Sequence, residues 1–171
     1  YANIKVIEKN TLEVNLQDLN GQRPQVVIAE HLSTWQAAEP QIEVMNHITQ
    51  NLAESGAVRL PMMSDNFIEL AESEFIFYDT VTMRAHYFET NGIKSPKILS
   101  DAKIFSRFDF NLTNPTHNRG YVDIVVASSG IVNSLHLSSK VMFAGKSELK
   151  SNDVRLAPVV LPLARDIKVK K

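Results

Sequence analysis

With 171 residues, 44% of them hydrophobic and 22% charged, the chain has the composition of a folded globular protein, which excludes disorder and low complexity. A net charge of −1 offers no basic footprint for nucleic acid and no polybasic patch for a membrane surface. The absence of cysteine removes disulfides, thiolate metal ligands and a Cys nucleophile, and it fits a reducing cytoplasm, the expected location.

The first residue is Tyr1 rather than Met, directly before a strand-like run, and the chain is expected to be a fragment. Ile4, Val6 and Ile7, then Leu12, Val14 and Leu16 at period two, predict strands over 4–7 and 12–16. Asn20-Gly21 and Pro24 supply a turn. Val26, Val27 and Ile28 read as a parallel strand buried on both faces, stopping at Glu30. Pro40 suits a helix first turn, and Ile42, Val44, Met45, Ile48 and Leu52 predict a helix over 39–55 with Gly56 in the left-handed capping position. Residues 57–60 predict the next strand, ended by Pro61.

Beyond Pro61 strands dominate: 67–71, 75–78, 81–88, 98–110, 121–127, 132–143 and 159–169. Turns are marked by Asn91-Gly92, Asn114-Pro115, Ser129-Gly130 and Ala144-Gly145. The fold class is therefore α+β, mostly β, with a partial Rossmann-like α/β unit over 1–61 followed by an antiparallel β-barrel over 62–171. Half a parallel sheet leaves apolar surface bare, so the side of residues 4–7 and 25–30 is expected to meet another chain, in a homo-oligomer, or a missing N-terminal portion.

A carboxylate at the C-terminal end of a parallel strand stands where open α/β sheets bind their ligands, which singles out Glu30; Glu39 follows nine residues on. The plain reading of the two acids is that Glu30 ends the strand and Glu39 favours a helix N-terminus. His31 adjoins Glu30, and Trp35 in the intervening loop reads either as a wall of a substrate pocket or as an anchor onto the barrel. The five histidines show no spacing that predicts a metal site, and His86, His117 and His136 receive no catalytic role.

The order of elements, and Ala29-Glu30-His31-Leu32-Ser33-Thr34 followed by Glu39, resemble the protein arginine methyltransferases, with their Ser-Glu-Trp-Met-Gly-Tyr…Glu hairpin. Residues 4–16 look like that family's third strand and adenine-contacting loop, and Glu54-Ser-Gly-Ala-Val-Arg-Leu-Pro61 like its fifth strand. The resemblance implies S-adenosylmethionine as cofactor of the whole protein, Thr11 and Leu12 near its adenine, and Glu30 and Glu39 as the catalytic pair, holding a substrate guanidinium by bidentate hydrogen bonds. It implies Trp35 and His31 on the substrate side and a protein or small-molecule methyl acceptor. The family's glycine-rich cofactor loop lies nowhere in the sequence, so this chain by itself is expected to be inactive and to bind the cofactor poorly or not at all. The family's Thr-His-Trp loop has no counterpart at residues 153–158, and residues 75–90 stand in place of its helical dimerisation arm. The alternatives are a noncatalytic β-barrel interaction module on the same scaffold and a methyltransferase with a different acceptor.

Overall fold

The computed structural model describes residues 3–90, 93–145, 147–151 and 156–171. The turn expected at Asn91-Gly92 and residues 152–155 lie outside them. The strands expected over 4–7 and 12–16 do not form. Ile4 and Val6 are 67% and 79% exposed, and without a neighbouring strand to pair their backbone, apolar alternation yields no ladder. A 3₁₀ turn, Thr11–Glu13, forms instead, with the Asn10 side chain accepting from the Leu12 N–H.

β1 (Val26–Ile28) and β2 (Val58–Leu60) pair in parallel, Val27 opposite Arg59. Between them lie a 3₁₀ turn, Thr34–Gln36, the helix α1 (Gln41–His47) and a π-helical turn, Ile48–Leu52. The expected helix is thus shorter and ends in a wider turn, closed by the Ala53 N–H donating to Ile48 O at 2.8 Å. Its apolar stripe is as expected: Ile42, Val44, Met45, Ile48 and Leu52 are all buried. Gly56 takes φ +83°, the left-handed conformation read for it.

The rest is antiparallel β. The strands are β3 (Met63–Glu72), β4 (Ile76–Phe77), β5 (Val81–Thr82), β6 (Tyr87–Phe88), β7 (Lys97–Ile98), β8 (Lys103–Asp109), β9 (Gly130–Met142), β10 (Glu148–Lys150) and β11 (Val159–Val169). β9 pairs with β3 on one side and with β10 and β11 on the other; β3 carries β8 and β7 on its far edge, and β6 extends β11. No ladder among the described residues joins β8 to β11 or β6, so the hydrogen-bond order is open rather than closed. The strand expected over 121–127 is reduced to one bridge, Val126 to Ser100. In β11 the register shifts between Pro162 and Ile167, where proline has no N–H to give the ladder.

One core cluster ties the two parts together. Val27, Ala29, Ile42, Met45, Ile48 and Leu52 pack with Phe108 and Phe110 from the end of β8. On the other face of the parallel pair, Val26, Ile28 and Val58 are 57%, 76% and 47% exposed. That side of the sheet is bare in this chain, as the half-sheet argument requires. Phe110 is fully buried at the junction, so Phe110→Ala should cost about 3–5 kcal/mol of unfolding free energy; a change within the ordinary surface range in urea titration would remove this shared core.

Candidate functional site

The chain leaves β1 at Ile28, passes Ala29 and Glu30, and turns through residues 31–40 into α1. A single side chain organises this exit. Gln41, fully buried in the first turn of α1, donates from Nε2 to Ala29 O at 3.1 Å and accepts at Oε1 from the His31 N–H at 2.8 Å. Its two bonds fall on either side of Glu30, so the backbone carrying that carboxylate is held from both directions. Glu39 stands two residues before the same glutamine.

The loop between the acids is clamped onto the β domain. Thr34 Oγ1 donates to Ala157 O at 2.7 Å, the Trp35 N–H to Ser139 Oγ at 2.7 Å, the Trp35 indole N–H to Phe67 O at 2.8 Å, and Gln36 Nε2 to Ser64 Oγ at 3.1 Å. Trp35 also stacks on Phe105, ring centroids 4.9 Å apart. These bonds enforce left-handed φ angles of +61° at Trp35 and +53° at Gln36, a conformation that costs non-glycine residues about 1–3 kcal/mol each. Beneath the loop lies a buried polar layer in which Ser139 Oγ donates to Asn66 Oδ1 and Asn66 Nδ2 to Ser106 Oγ. Gln36 Oε1 is buried without a donor, and exchanging the two ends of the amide would only move that deficit to its nitrogen.

Glu30 and Glu39 are both exposed, and neither accepts a hydrogen bond nor joins an ion pair with any described residue. Glu39 lines a cleft of 580 Å³ together with Leu32, Thr34, Phe88, Ile93 and Ala157, between the loop and the end of β6. His31 is half-buried and joins the site through its backbone N–H. Trp35 acts as the anchor of the loop. Thr11 and Leu12 sit elsewhere, on the N-terminal turn, where Leu12 borders a second cleft, of 630 Å³, with Val14, Leu16, His47, Asn51 and Leu52. The mixture of aliphatic and amide groups there fits the edge of a flat aromatic ligand such as adenine. His47 is already engaged, its Nε2 with Val14 O at 2.8 Å and its Nδ1 with Asn51 Nδ2 at 3.1 Å. Glu13, Asn15 and Gln17 complete the lining, so the cleft sets a carboxylate and amides beside its aliphatic groups.

A second polar cluster escaped the sequence reading. His136 on β9 stands opposite Glu69 on β3 and contacts its carboxylate through Nδ1 at 2.7 Å, while Nε2 meets Glu89 at 3.0 Å. Burial pushes the imidazole pKa down, but the two carboxylates outweigh it and raise it to about 9. The His136 contact in turn holds the Glu89 carboxyl below its usual range, against burial. The group adjoins a cleft of 400 Å³ bordered by Phe67, Ser138 and Lys140. Spacing along the chain could not reveal it, because His136 lies on β9, Glu69 on β3 and Glu89 just past β6; only the Glu69 to His136 register would have. Gln41 had a signal, a polar residue on the buried side of an amphipathic helix directly after Pro40.

A parallel strand-helix-strand unit thus runs into an antiparallel domain, with the exposed Glu30 just past the end of the first strand. No family model matches the chain. An uncharacterised protein of Methanocaldococcus jannaschii, MJ1452, is 25% identical over 169 residues, covering 98% of this chain and 60% of that protein. Among solved structures, a chain of the Trypanosoma brucei PRMT1 enzyme-prozyme heterotetrameric complex with AdoHcy aligns with a TM-score of 0.66 and 13% identity, over 94% of this chain and 57% of that one. Protein Arginine Methyltransferase 10 of Arabidopsis thaliana, in an open conformation, aligns with a TM-score of 0.72 and 10% identity, over 98% and 62%. The fold is that of the aligned part of these arginine methyltransferase chains, and this chain spans less than two thirds of the length of MJ1452 and of each of these two chains. Among the described residues no helix is long and apolar enough to cross a membrane.

Replacing Gln41 by Leu leaves Ala29 O and the His31 N–H without partners and should destabilise the protein by about 2–4 kcal/mol; a loss below the usual surface range in chemical denaturation would show that Gln41 does not hold the turn. The raised His136 pKa makes a second, signed prediction. Its stabilisation is complete below the ordinary 6.5 and is lost as pH rises through about 9. The melting temperature should fall over that window, and His136→Gln should flatten the fall; equal slopes would contradict the charged bridge.

Proposed function

We propose that this chain is the acceptor-side portion of an S-adenosylmethionine-dependent methyltransferase, in which Glu30 and Glu39 hold a cationic acceptor, a guanidinium first among them. The observation that carries this reading is the pair of exposed carboxylates, free of ion pairs with described residues, on a loop held rigidly at both ends. Carboxylates committed to stability are normally paired or bonded. These two are available, and the backbone beneath them is immobilised at the cost of two strained residues.

Two anionic acceptors facing one guanidinium fix its plane and direction through parallel N–H to O bonds, so that positioning lowers the barrier. The glutamates also offset positive charge on the acceptor as a new N–C bond forms. Bound S-adenosylmethionine supplies the methyl group from its sulfonium. Leu12, with Thr11 beside it, borders the cleft that would receive the adenine side, and Leu32, Phe88 and Ile93 line the wall where the body of the acceptor, a protein or a small molecule, would lie. His31 and Trp35 belong to the acceptor side in this reading, Trp35 by holding the loop.

The division falls at residues 61 and 62, with the β-rich part carrying the acceptor. The bare face of Val26, Ile28 and Val58 is covered by the cofactor-binding portion of the sheet or by a second copy of the chain, and the protein works in the cytoplasm. The partial coverage of MJ1452 and of the two arginine methyltransferase chains supports a longer working protein. A noncatalytic interaction module on the same scaffold is the rival; the lack of any Thr-His-Trp motif in the sequence favours it.

The test uses the full-length protein with S-adenosylmethionine and arginine-containing peptides, reading methylated product by mass spectrometry. Glu30→Gln and Glu39→Gln should each lower kcat by about a hundredfold or more while leaving the melting temperature unchanged. Transfer at the unaltered rate in both variants removes the pair from the site. Absence of transfer to peptides and to small guanidines or amines puts the interaction module ahead.

A further inference from the structure

A fourth cleft, of 660 Å³, contains an arginine that its own neighbours do not neutralise. Arg59 pairs across the parallel sheet with Val27, so its side chain enters the space under the π turn, where it is only 5% exposed. Nε donates to Thr49 Oγ1 at 3.1 Å and Nη1 to Ala57 O at 2.7 Å. Both acceptors are neutral. No carboxylate of a described residue lies within ion-pairing distance, and Nη2 has no hydrogen-bond partner among the described residues. Nη2 is not among the buried unpaired atoms, and Arg59 lines the cleft. Arg23 lines the same cleft from the rim, with Nη1 donating to Asn51 O at 3.2 Å and Ala53 O at 3.3 Å, and it too has no ion pair with a described residue.

A buried cation without a counter-ion is among the costliest arrangements in a protein. The guanidinium fork, with a free edge turned toward a cavity, matches the oxygens of a carboxylate or phosphate. Glu54 is the one acidic residue in the described lining and pairs with neither arginine. Two arginines against one glutamate leave the cleft with a net charge of +1, which suits a compact anion better than a polyanion. We infer that this cleft binds a small oxyanion, a phosphate or carboxylate group, on Arg59 Nη2 and the free edge of Arg23. The site lies near the N-terminal end of β2, whereas Glu30 lies past the C-terminal end of the parallel β1, so it is separate from the candidate methyl-transfer site. Its position gives the anion a role. Thr49 passes the contact on by donating to Phe110 O, and Asn111 closes the cleft from the β domain, so a bound oxyanion braces the junction of the two parts.

Titration calorimetry of the full-length protein with inorganic phosphate and, separately, acetate, in chloride buffer at constant ionic strength, tests this. Saturable binding of one or both anions is expected; phosphate alone assigns a phosphoryl ligand, acetate alone a carboxylate. Arg23→Gln, on the surface and harmless to folding, should weaken binding about tenfold, and Arg59→Gln should abolish it. Absence of saturable binding of either anion, or an affinity unchanged in Arg23→Gln, overturns the site even if Arg59→Gln does not fold.

Discussion

The structure depends on one buried amide. Gln41 reaches back from the first turn of α1 and bonds the chain on both sides of Glu30. Without that tie, nothing would join the exit of a strand only three residues long to the entry of a helix that follows a proline twelve residues later. A short parallel strand with a single partner has little ladder energy of its own, so its direction is set by what holds its ends. The amide makes strand exit and helix entry one rigid corner.

From that corner the rest follows outward. The loop returns from the β domain with two residues in left-handed conformations, held by hydroxyls and carbonyls of β3, β9 and the segment before β11. The sheet strands beneath keep serines and an asparagine where a barrel would ordinarily keep aliphatics, and those polar groups bond one another and the loop. The aliphatic core is displaced to the other side, where Phe108 and Phe110 meet the helix. Stability and site geometry are thus assigned to different layers: hydrophobic burial joins the two parts, and a hydrogen-bonded layer sets where the loop lies.

Electrostatics divides along the same lines. Paired charges are structural: His136 sits between Glu69 and Glu89, and Arg107 grips the buried Asp65 through two bonds. Unpaired charges stand at clefts: Glu39 at one, Arg59 and Arg23 at another. Removing an ion from water without a partner costs more than a folded chain can repeat often, which makes the unpaired ones informative about ligands.

The parallel strand, the amphipathic helix, the long strands and the two-glutamate loop were legible in the sequence, because local periodicity, proline and glycine act within a few residues. So was the bare side of the half-sheet, since Val26, Ile28 and Val58 are apolar whether or not anything covers them. Local pattern failed where a partner was required: residues 4–7 alternate like a strand but have no strand to pair with, and 121–127 keep a single bridge. Tertiary structure alone decided that Gln41 brackets Glu30, that the Trp35 indole bonds Phe67 O and stacks on Phe105, that β3 register brings Glu69 to His136, and that Arg59 points into the protein with no acid among the described residues to meet it. Each of these is a contact between residues remote in the chain, and the sequence records the chemistry of such groups but not their neighbours.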